Sequence, residues 1–192
     1  MYAPEQVLTN DDLAAIVETS DEWIRTRTGI ERRHVAEEHE ATAHMSIEAA
    51  RAALQMADVN PLDIDLIIVG TATPDHLFSP TACQVQNALG AVHAGAFDLN
   101  AGCSGFVYAL TIGEQAITSG ANDLVLVIGA DTMSRVMNWQ DRSTCVLFGD
   151  GAGAVLLRGS DGPAGILSTL LGADGSGGDL LHIPAGGSAM PA

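Results

Sequence analysis

The residue best suited to covalent chemistry in this chain is Cys103, within residues 97–106, which read FDLNAGCSGF. This pattern predicts a short strand, a tight turn of small residues and a helix that begins at the cysteine. The first N–H groups of a helix have no intrahelical partner, so they stabilise a negatively charged sulfur, the nucleophilic form of a thiol. Gly102 and Gly105 carry no side chains, so a substrate carbonyl group could approach the sulfur. The alternative is a buried core cysteine, and the spacing alone leaves both interpretations open.

Four segments of strand length predict the sheet that positions this turn. Two of them consist almost entirely of aliphatic residues, which is typical of strands covered on both faces. Because helical patterns alternate with these runs, the sequence predicts an α/β layered domain with a mostly parallel sheet. The predicted strands are 65–70, 97–101, 123–129 and 153–157.

Helical patterns fill the intervals between the strands. Asn10 is the expected N-cap of a first short helix, and Ser20 caps a second one that stops before Gly29. The helix behind Cys103 is apolar on nearly every side over its first three turns, which predicts that it is buried. The other helices are expected at 11–18, 45–57 and 81–89, and the one behind the cysteine at 103–119.

Composition excludes several classes of protein. The net charge is −16 and all eight basic residues are arginine, which argues against non-specific binding of nucleic acid. No apolar run approaches the roughly 20 residues of a membrane span, so no membrane partner is expected. Cys83, Cys103 and Cys145 are too few and too widely spaced for a disulfide framework or a CxxC metal site. A cytoplasmic location is the expectation, since the start of the chain does not resemble a signal peptide.

Residues 19–33 combine threonine and arginine around Trp23. One interpretation is a solvated helical connector with one packed tryptophan, which is what the segment alone favours. The other is a docking surface for a phosphate-bearing ligand, in which a base stacks on the indole. His34, His39 and His44 recur every five residues rather than every four, so we interpret them as surface histidines rather than metal ligands.

Three further stretches bear on function or packing. Residues 149–154, GDGAGA, match the dinucleotide-binding pattern GxGxxA, but only about five apolar residues come after them before Arg158, too few for the required helix. We therefore expect a glycine turn that enters a strand. Residues 102–105, GCSG, lack the GxSxG register of a serine hydrolase. Residues 180–183, LLHI, are expected to be packed.

Five ordered blocks of the sequence together resemble β-ketoacyl-acyl-carrier-protein synthase III, a condensing enzyme of the thiolase superfamily. The resemblance implies a thiolase-like layered fold, with a mostly parallel mixed sheet flanked by helices. It also implies that residues 1–192 are the N-terminal half of that fold, truncated at both ends. The first edge strand and the C-terminal half would then be missing. The blocks are 19–29, 79–86, 97–106, 141–151 and 173–176.

The resemblance implies a condensing reaction at the start of fatty-acid synthesis. Cys103 would take an acyl group from acyl-CoA, and the backbone N–H of the same residue would help to form an oxyanion hole. A decarboxylative Claisen condensation with malonyl-acyl-carrier protein would come next. No cofactor is expected, because acyl-CoA is a substrate, and the active form would be a homodimer.

The resemblance also assigns residues to the two parts of the acyl-CoA substrate. Trp23 and Arg142 would sandwich the adenine, and an acyl-pocket residue, Phe78, would reach the partner subunit's pocket. The implied CoA contacts are Thr19, Trp23, Arg27 and Arg142, and the implied acyl-pocket residues are Phe78, Phe148 and Leu180.

Two alternatives stay open at this point. The family's catalytic His and Asn belong to the second half, so this chain could instead be a non-catalytic binding or interaction fragment. A related acyl-CoA condensing enzyme, one that makes polyketides, quinolones or hydroxymethylglutaryl-CoA, would use a similar cysteine. Asn100 and Gly102 stand where many members of the family have alanine.

Overall fold

The computed structural model describes residues 1–162 and 165–191, so residues 163–164 and 192 of the predicted domain lie outside it. Its centre is a four-stranded sheet with the strand order β4-β3-β5-β6. Strands β3, β4 and β5 are parallel, and β6 runs antiparallel to β5. The predicted mostly parallel mixed sheet is therefore confirmed. The strands are β3 (Leu66–Gly70), β4 (Gly95–Leu99), β5 (Leu124–Thr132) and β6 (Asp150–Arg158).

Three long helices cover the two faces of this sheet. Ile67 and Leu126 pack into a core with α3 and α4, whereas Ile68 and Val127 pack against α5 on the opposite face. Successive residues of a strand point to opposite faces, so covering both faces explains the continuous apolar runs. The helices are α3 (Thr42–Ala57), α4 (Thr81–Leu89) and α5 (Gly105–Thr118).

A smaller unit near the start of the chain packs beside the carboxyl end of the sheet. Its two short strands pair antiparallel, and two helices lie between them. Ile24 and Leu13 of this unit share a buried cluster with Cys145 and Val146, so the unit rests against α6. The elements are β1 (Val7–Thr9), α1 (Asn10–Ala14), α2 (Asp21–Thr28), β2 (Arg32–His34) and α6 (Arg142–Cys145). Short 3-10 turns lie at Pro61–Asp63, Met133–Arg135 and Gly175–Leu180.

The N-cap of the first helix was predicted at the wrong residue. Thr9, rather than Asn10, is the N-cap, because the Thr9 hydroxyl accepts from the Asp12 amide and Asp12 accepts in return from the Thr9 amide. Asn10 lies inside the helix and is buried. Its amide group donates to Asp21 and to the Ile30 carbonyl, 2.8 Å each. The predicted cap at Ser20 and the helix end at Gly29 are confirmed.

The helix behind Cys103 also differs from its prediction. It begins at Gly105, two residues after the cysteine, and its N-cap is Ser104. One face packs on the sheet, but the outer face is open within the described part of the chain, and Val107 is 53% exposed. The predicted all-round burial is therefore wrong here. Residues 180–183 are exposed as well, contrary to the expectation that they pack.

The strand boundaries move by a few residues. Strand β4 spans Gly95–Leu99 rather than 97–101, and β5 continues three residues past its predicted end to Thr132. Strand β6 already begins at Asp150, inside the GDGAGA stretch. Gly151 and Gly153 therefore lie within a strand rather than in a turn that enters it, and the stretch lacks the helix that a dinucleotide-binding pattern requires. Tyr2 adds one antiparallel bridge to Ala152 of β6.

The histidines are less exposed than predicted. His34 is half-buried and its Nδ1 lies 2.6 Å from the Pro4 carbonyl oxygen. His44 is half-buried too, with its ring edge-on to Tyr2 and to His39, and only His39 of the three is exposed. Among the helices that the structure describes, none has the length and apolar character needed to cross a membrane.

Candidate active site

Cys103 lies in a tight turn between β4 and α5. The Asn100 side-chain oxygen accepts from the Gly102 amide at 3.1 Å, and Gly102 has a φ of +53°, which favours glycine. The amides of Ser104 and Gly105 donate to carbonyl groups within the same turn. Cys103 is exposed, so the core-cysteine alternative is wrong, and Asn100 is exposed at the same turn. A nucleophilic role for Cys103 stays a prediction.

The turn is held against the sheet by a contact between two glycines. A Cβ atom on Gly70, the last residue of β3, would lie 2.7 Å from the carbonyl carbon of Gly105. Gly129 of β5 likewise leaves room for Phe106, whose Cβ would be 3.0 Å from a Cβ at that position. Real Cβ atoms do not approach backbone this closely, so glycine is required at Gly70. The sequence pattern marked both glycines only as strand ends and missed this role.

Two cavities meet at Cys103. A cavity of about 440 Å³ and a larger one of about 880 Å³ share four lining residues. The smaller cavity extends over the glycines of β6, and the larger one extends toward α6 and the 3-10 turn at Gly175–Leu180. The exposed thiol of Cys103 is therefore part of the lining of both cavities. The shared residues are Gly102, Cys103, Asp131 and Gly149.

The three predicted acyl-pocket residues have different environments. Phe148 is half-buried and lines the larger cavity with Cys103. Leu180 lines the same cavity, although its side chain is 89% exposed. Phe78 lines neither cavity and is 93% exposed, on the loop that connects β3 to α4. The structure thus brings two of the three together with Cys103.

The predicted CoA contacts gather around one indole ring. The guanidinium carbon of Arg27 lies 4.4 Å from the centre of the Trp23 ring, and that of Arg142 lies 4.8 Å from it. Both distances are in the range of cation–π contacts. Thr19, just before the N-cap of α2, has a buried hydroxyl oxygen with no hydrogen-bond partner within the described ranges. In this structure Arg142 lies directly against the ring, rather than across a gap wide enough for adenine.

Asp141 orders the short helix that carries Arg142. It is the N-cap of α6 and accepts from the Ser143 amide and from the hydroxyls of Ser143 and Thr144. These hydrogen bonds, the one from the Ser143 hydroxyl first, hold the pKa of Asp141 below its ordinary value. Arg142 also donates to the Glu18 carbonyl at 3.1 Å, so its guanidinium is tethered beside the smaller unit.

The other two cysteines differ from Cys103. Cys145 is buried, and burial raises the pKa of its thiol, which makes it a weak nucleophile. Cys83 is exposed on α4, where its sulfur contacts the Ala96 carbonyl at 3.7 Å. Buried Arg33 sits near Cys145, and burial lowers the pKa of its guanidinium. Neither Cys83 nor Cys145 lines a cavity with Cys103.

Asp131 lies beside Cys103 in both cavities, and the sequence analysis missed it. Its Oδ1 accepts four hydrogen bonds from Thr71, Ala72 and Thr73, and the residue lines both cavities. The available signal was a charged residue directly after an apolar run, but the predicted strand ended too early to include it. Within the described residues, no group of three or more His, Cys, Asp or Glu side chains is arranged to hold a metal ion.

Comparisons with known proteins agree with this architecture. A family model described as 3-oxoacyl-[acyl-carrier-protein (ACP)] synthase III matches residues 97–175. The β-ketoacyl-[acyl-carrier-protein] synthase III of Xylella fastidiosa (strain 9a5c) is 61% identical over 185 residues, covering 96% of this chain and 57% of that protein. This chain therefore spans a little over half the length of the curated relatives that it matches.

Solved structures give the same result for the fold. The β-ketoacyl-[acyl-carrier-protein] synthase III of Thermus thermophilus superposes with a TM-score of 0.90 at 44% identity, over 94% of this chain and 56% of that one. The priming β-ketosynthase of the R1128 polyketide pathway superposes with a TM-score of 0.82 at 41% identity, over 84% of this chain and 48% of that one. These similarities confirm the fold and the resemblance carried by the five sequence blocks. Over the segment that it spans, the chain is similar in sequence and in fold to β-ketoacyl-[acyl-carrier-protein] synthase III proteins.

Proposed function

We propose that the protein is a condensing enzyme that initiates fatty-acid synthesis, with Cys103 as the acyl acceptor. The observation that carries this proposal is the exposed thiol of Cys103 in the wall shared by two cavities, at the carboxyl end of parallel strands. Open α/β sheets bind ligands outside the carboxyl ends of their strands. A thiol that faces space on two sides can meet an acyl donor and a second substrate.

The reaction proceeds in two covalent steps. The sulfur of Cys103 attacks the thioester carbonyl carbon of acyl-CoA, a new carbon–sulfur bond forms, and CoA leaves as a thiolate that takes up a proton. The malonyl group on acyl-carrier protein then loses CO₂, and its carbanion attacks the acyl carbon. A carbon–carbon bond forms, the bond to Cys103 breaks, and the thiolate is regenerated. No redox cofactor is required for this balance.

Acyl-CoA binding uses the surface around Trp23. Trp23 and Arg142 sandwich the adenine between them, while Arg27 supplies positive charge for the CoA phosphates. The net charge of the chain is −16, but the two arginines beside Trp23 give this surface a local positive charge that attracts an anionic ligand. The buried, unpartnered hydroxyl oxygen of Thr19 supports a further polar contact. Arg142 must leave the Trp23 ring when the adenine enters.

The proposal includes partners beyond this chain. Malonyl-acyl-carrier protein is the second substrate, and a second copy of the protein completes a homodimer whose acyl pocket receives Phe78. The 93% exposure of the Phe78 side chain supports that role, since a phenyl ring in water contributes nothing to its own subunit's core. The complete enzyme is expected to work in the cytoplasm.

The test is covalent labelling of the full-length protein. Wild-type protein incubated with radiolabelled acetyl-CoA should gain one acetyl group, and Cys103→Ala should gain none. Cys83→Ala is the matched control, because it removes the other exposed cysteine and should leave labelling unchanged. Undiminished label on Cys103→Ala would overturn the assignment of the nucleophile.

A second candidate is a priming synthase that loads a different acyl starter. The 41% identity to the R1128 polyketide priming enzyme favours this variant over unrelated chemistry. Competition among acetyl-CoA and longer acyl-CoA donors for Cys103 distinguishes the two, because preference for a donor other than acetyl-CoA would fit the second candidate. If labelled protein fails to form a β-ketoacyl product with malonyl-acyl-carrier protein, the chain is instead a binding or interaction fragment.

A further inference from the structure

We propose that Asp131 is a positioning residue that sets which acyl chain length the enzyme accepts. It would do so by fixing the turn at residues 71–73, which begins the loop that carries Phe78. This inference rests on the proposed function, because it concerns the selectivity of the same acyl site. Neither Asp131 nor this turn belongs to the residues that the sequence motifs assign to the reaction.

One oxygen of Asp131 holds the whole turn. Its Oδ1 accepts from the Thr71 hydroxyl at 3.1 Å, the Ala72 amide at 2.8 Å, the Thr73 amide at 3.2 Å and the Thr73 hydroxyl at 2.9 Å. Hydrogen bonds to a charged acceptor are stronger than those between neutral groups. The other oxygen, Oδ2, has no hydrogen-bond partner among the described residues, although Asp131 lines both cavities. The carboxylate therefore acts as a clamp at the edge of the cavities.

A second set of buried hydrogen bonds ties the same turn to α3 and β5. The Thr73 hydroxyl accepts from the Thr132 amide at 2.8 Å, and the Thr42 hydroxyl donates to the Thr73 carbonyl at 2.6 Å. The Thr42 and Thr132 hydroxyls are 2.7 Å apart, and both residues are buried. Each hydroxyl has a partner, so the network holds one geometry.

The position of this turn affects the chain on both of its sides. After it, the loop carries Leu77 and Phe78, whose side chains are 82% and 93% exposed. Before it, Gly70 contacts Gly105 at the start of the helix behind Cys103. The turn therefore joins the thiol to the loop that is proposed to shape the acyl pocket. A shift at residues 71–73 changes the distance between them.

The test compares substitutions that weaken the clamp with one that weakens a similar carboxylate elsewhere. Asp131→Asn removes the charge, Thr73→Val removes the hydroxyl at nearly constant shape, and Thr73→Ser restores it. The control is Asp65→Asn, because Asp65 accepts from the Asp123 and Leu124 amides at 2.8 and 2.9 Å, at the opposite end of the same strands. The readout is the ratio of Cys103 acylation rates with acetyl-CoA and hexanoyl-CoA, measured by intact mass on full-length protein.

The inference expects this ratio to change about tenfold in Asp131→Asn and Thr73→Val, because pockets separate substrates that differ by methylene groups by roughly 10- to 200-fold. Thr73→Ser and Asp65→Asn should keep the wild-type ratio. A ratio within about twofold of wild type in both Asp131→Asn and Thr73→Val would overturn the inference while acylation of wild type still stands. An equal change in Asp65→Asn would also overturn it, since general loss of stability would then explain the effect.

Failure of the proposed function is recognised separately. If wild-type protein is not acylated by either donor, the proposed function fails. Amide hydrogen exchange then tests whether Asp131 holds the turn at residues 71–73. Exchange at residues 71–78 should be faster in Asp131→Asn than in wild type and unchanged in Asp65→Asn. Equal exchange in Asp131→Asn and wild type would overturn the positioning role.

Discussion

The guanidinium of Arg142 stacks on the ring of Trp23, 4.8 Å from its centre, although the two residues lie on different helices. Trp23 is part of α2, and Arg142 is the first residue of α6. The contact exists because Ile24 and Cys145, which lie near this pair along α2 and α6, share one buried cluster. Packing of the smaller unit against α6 thus creates a cation–aromatic surface on the outside of the protein.

Removing this arginine should weaken binding of the nucleotide part of acyl-CoA. Arg142→Ala is expected to raise the KM for acetyl-CoA about tenfold, since the guanidinium is proposed to stack on the bound adenine and a cation–π contact contributes roughly 0.5–2 kcal/mol. The KM for acetyl-pantetheine, which lacks adenosine and its phosphates, should not change. Steady-state kinetics on the full-length protein with both thioesters measures the difference.

The matched control is Arg51→Ala, which removes an exposed arginine that pairs with Glu48 on α3. It should leave both KM values at the wild-type level. An Arg142→Ala variant whose KM rises equally for both thioesters would contradict a nucleotide contact and indicate a general disturbance of the site.

The contact between Gly70 and Gly105 should be intolerant of a single methyl group. Gly70→Ala would place Cβ 2.7 Å from the Gly105 carbonyl carbon and 2.8 Å from its oxygen, and both atoms are backbone. We expect the free energy of unfolding to fall by about 1–3 kcal/mol, as for other overpacked cores. Denaturant-induced unfolding measures this change in free energy.

The control is Gly153→Ala in β6, where a Cβ meets nothing within 4 Å. Its free energy of unfolding should stay within about 0.5 kcal/mol of wild type. Equal stability of the two variants would show that α5 can move away from β3.

Hydrophobic pattern predicted the central sheet well because both of its faces are buried. Residues 65–70 and 123–129 are mostly aliphatic, and they became β3 and the first part of β5. The end of β5 was missed because Asp131 and Thr132 are polar, and their burial depends on partners in the turn at 71–73. A single strand's sequence contains no information about such partners.

Site residues could be predicted from the sequence where their chemical type suggests a role. They could not be predicted where the role comes from packing against a distant part of the chain. Cys103 and Trp23 stand out in the sequence, whereas the role of Gly70 appears only when Gly105 is known to lie against it. The outer face of α5 is a second case in which the sequence pattern and the observed packing differ. Its apolar residues indicate burial, but Val107 on that face is 53% exposed in the described part of the chain.

Phe78 should affect substrate choice without affecting the stability of its own subunit. Phe78→Ala removes a side chain that is 93% exposed in its own subunit, so the free energy of unfolding of the dissociated monomer should change by less than about 0.5 kcal/mol. The preference of Cys103 for acetyl-CoA over hexanoyl-CoA should shift, because the ring is proposed to enter an acyl pocket. Met56→Ala, an 89% exposed apolar residue on α3, is the control and should change neither quantity. A large loss of stability in Phe78→Ala would contradict the first expectation, and an unchanged preference the second.

Tyr2 forms a polar contact that makes stability depend on pH in the alkaline range. Its hydroxyl donates to Glu40, a buried carboxylate whose other oxygen accepts from the Glu37 amide at 2.8 Å. This hydrogen bond first, then burial and the negative charge of Glu40, raise the pKa of Tyr2 to about 12 from its ordinary 10.0. Burial alone would raise the pKa of Glu40, but the hydrogen bonds from Tyr2 and Glu37, together with nearby His39 and His44, outweigh it and lower that pKa.

The sign of the effect is set by proton binding. Between pH 10 and about 12 the folded state keeps the Tyr2 proton while the unfolded state loses it, so the stability from this contact is complete below pH 10 and is lost as pH rises through 12. Tyr2→Phe should therefore be about 1 kcal/mol less stable than wild type at about pH 8, and the two should converge as pH rises through about 12. Denaturant unfolding at about pH 8, 10 and 12 measures the difference. Tyr108→Phe, which leaves the contact with Glu40 intact, should keep the wild-type slope, and a constant gap between Tyr2→Phe and wild type would rule out the linkage.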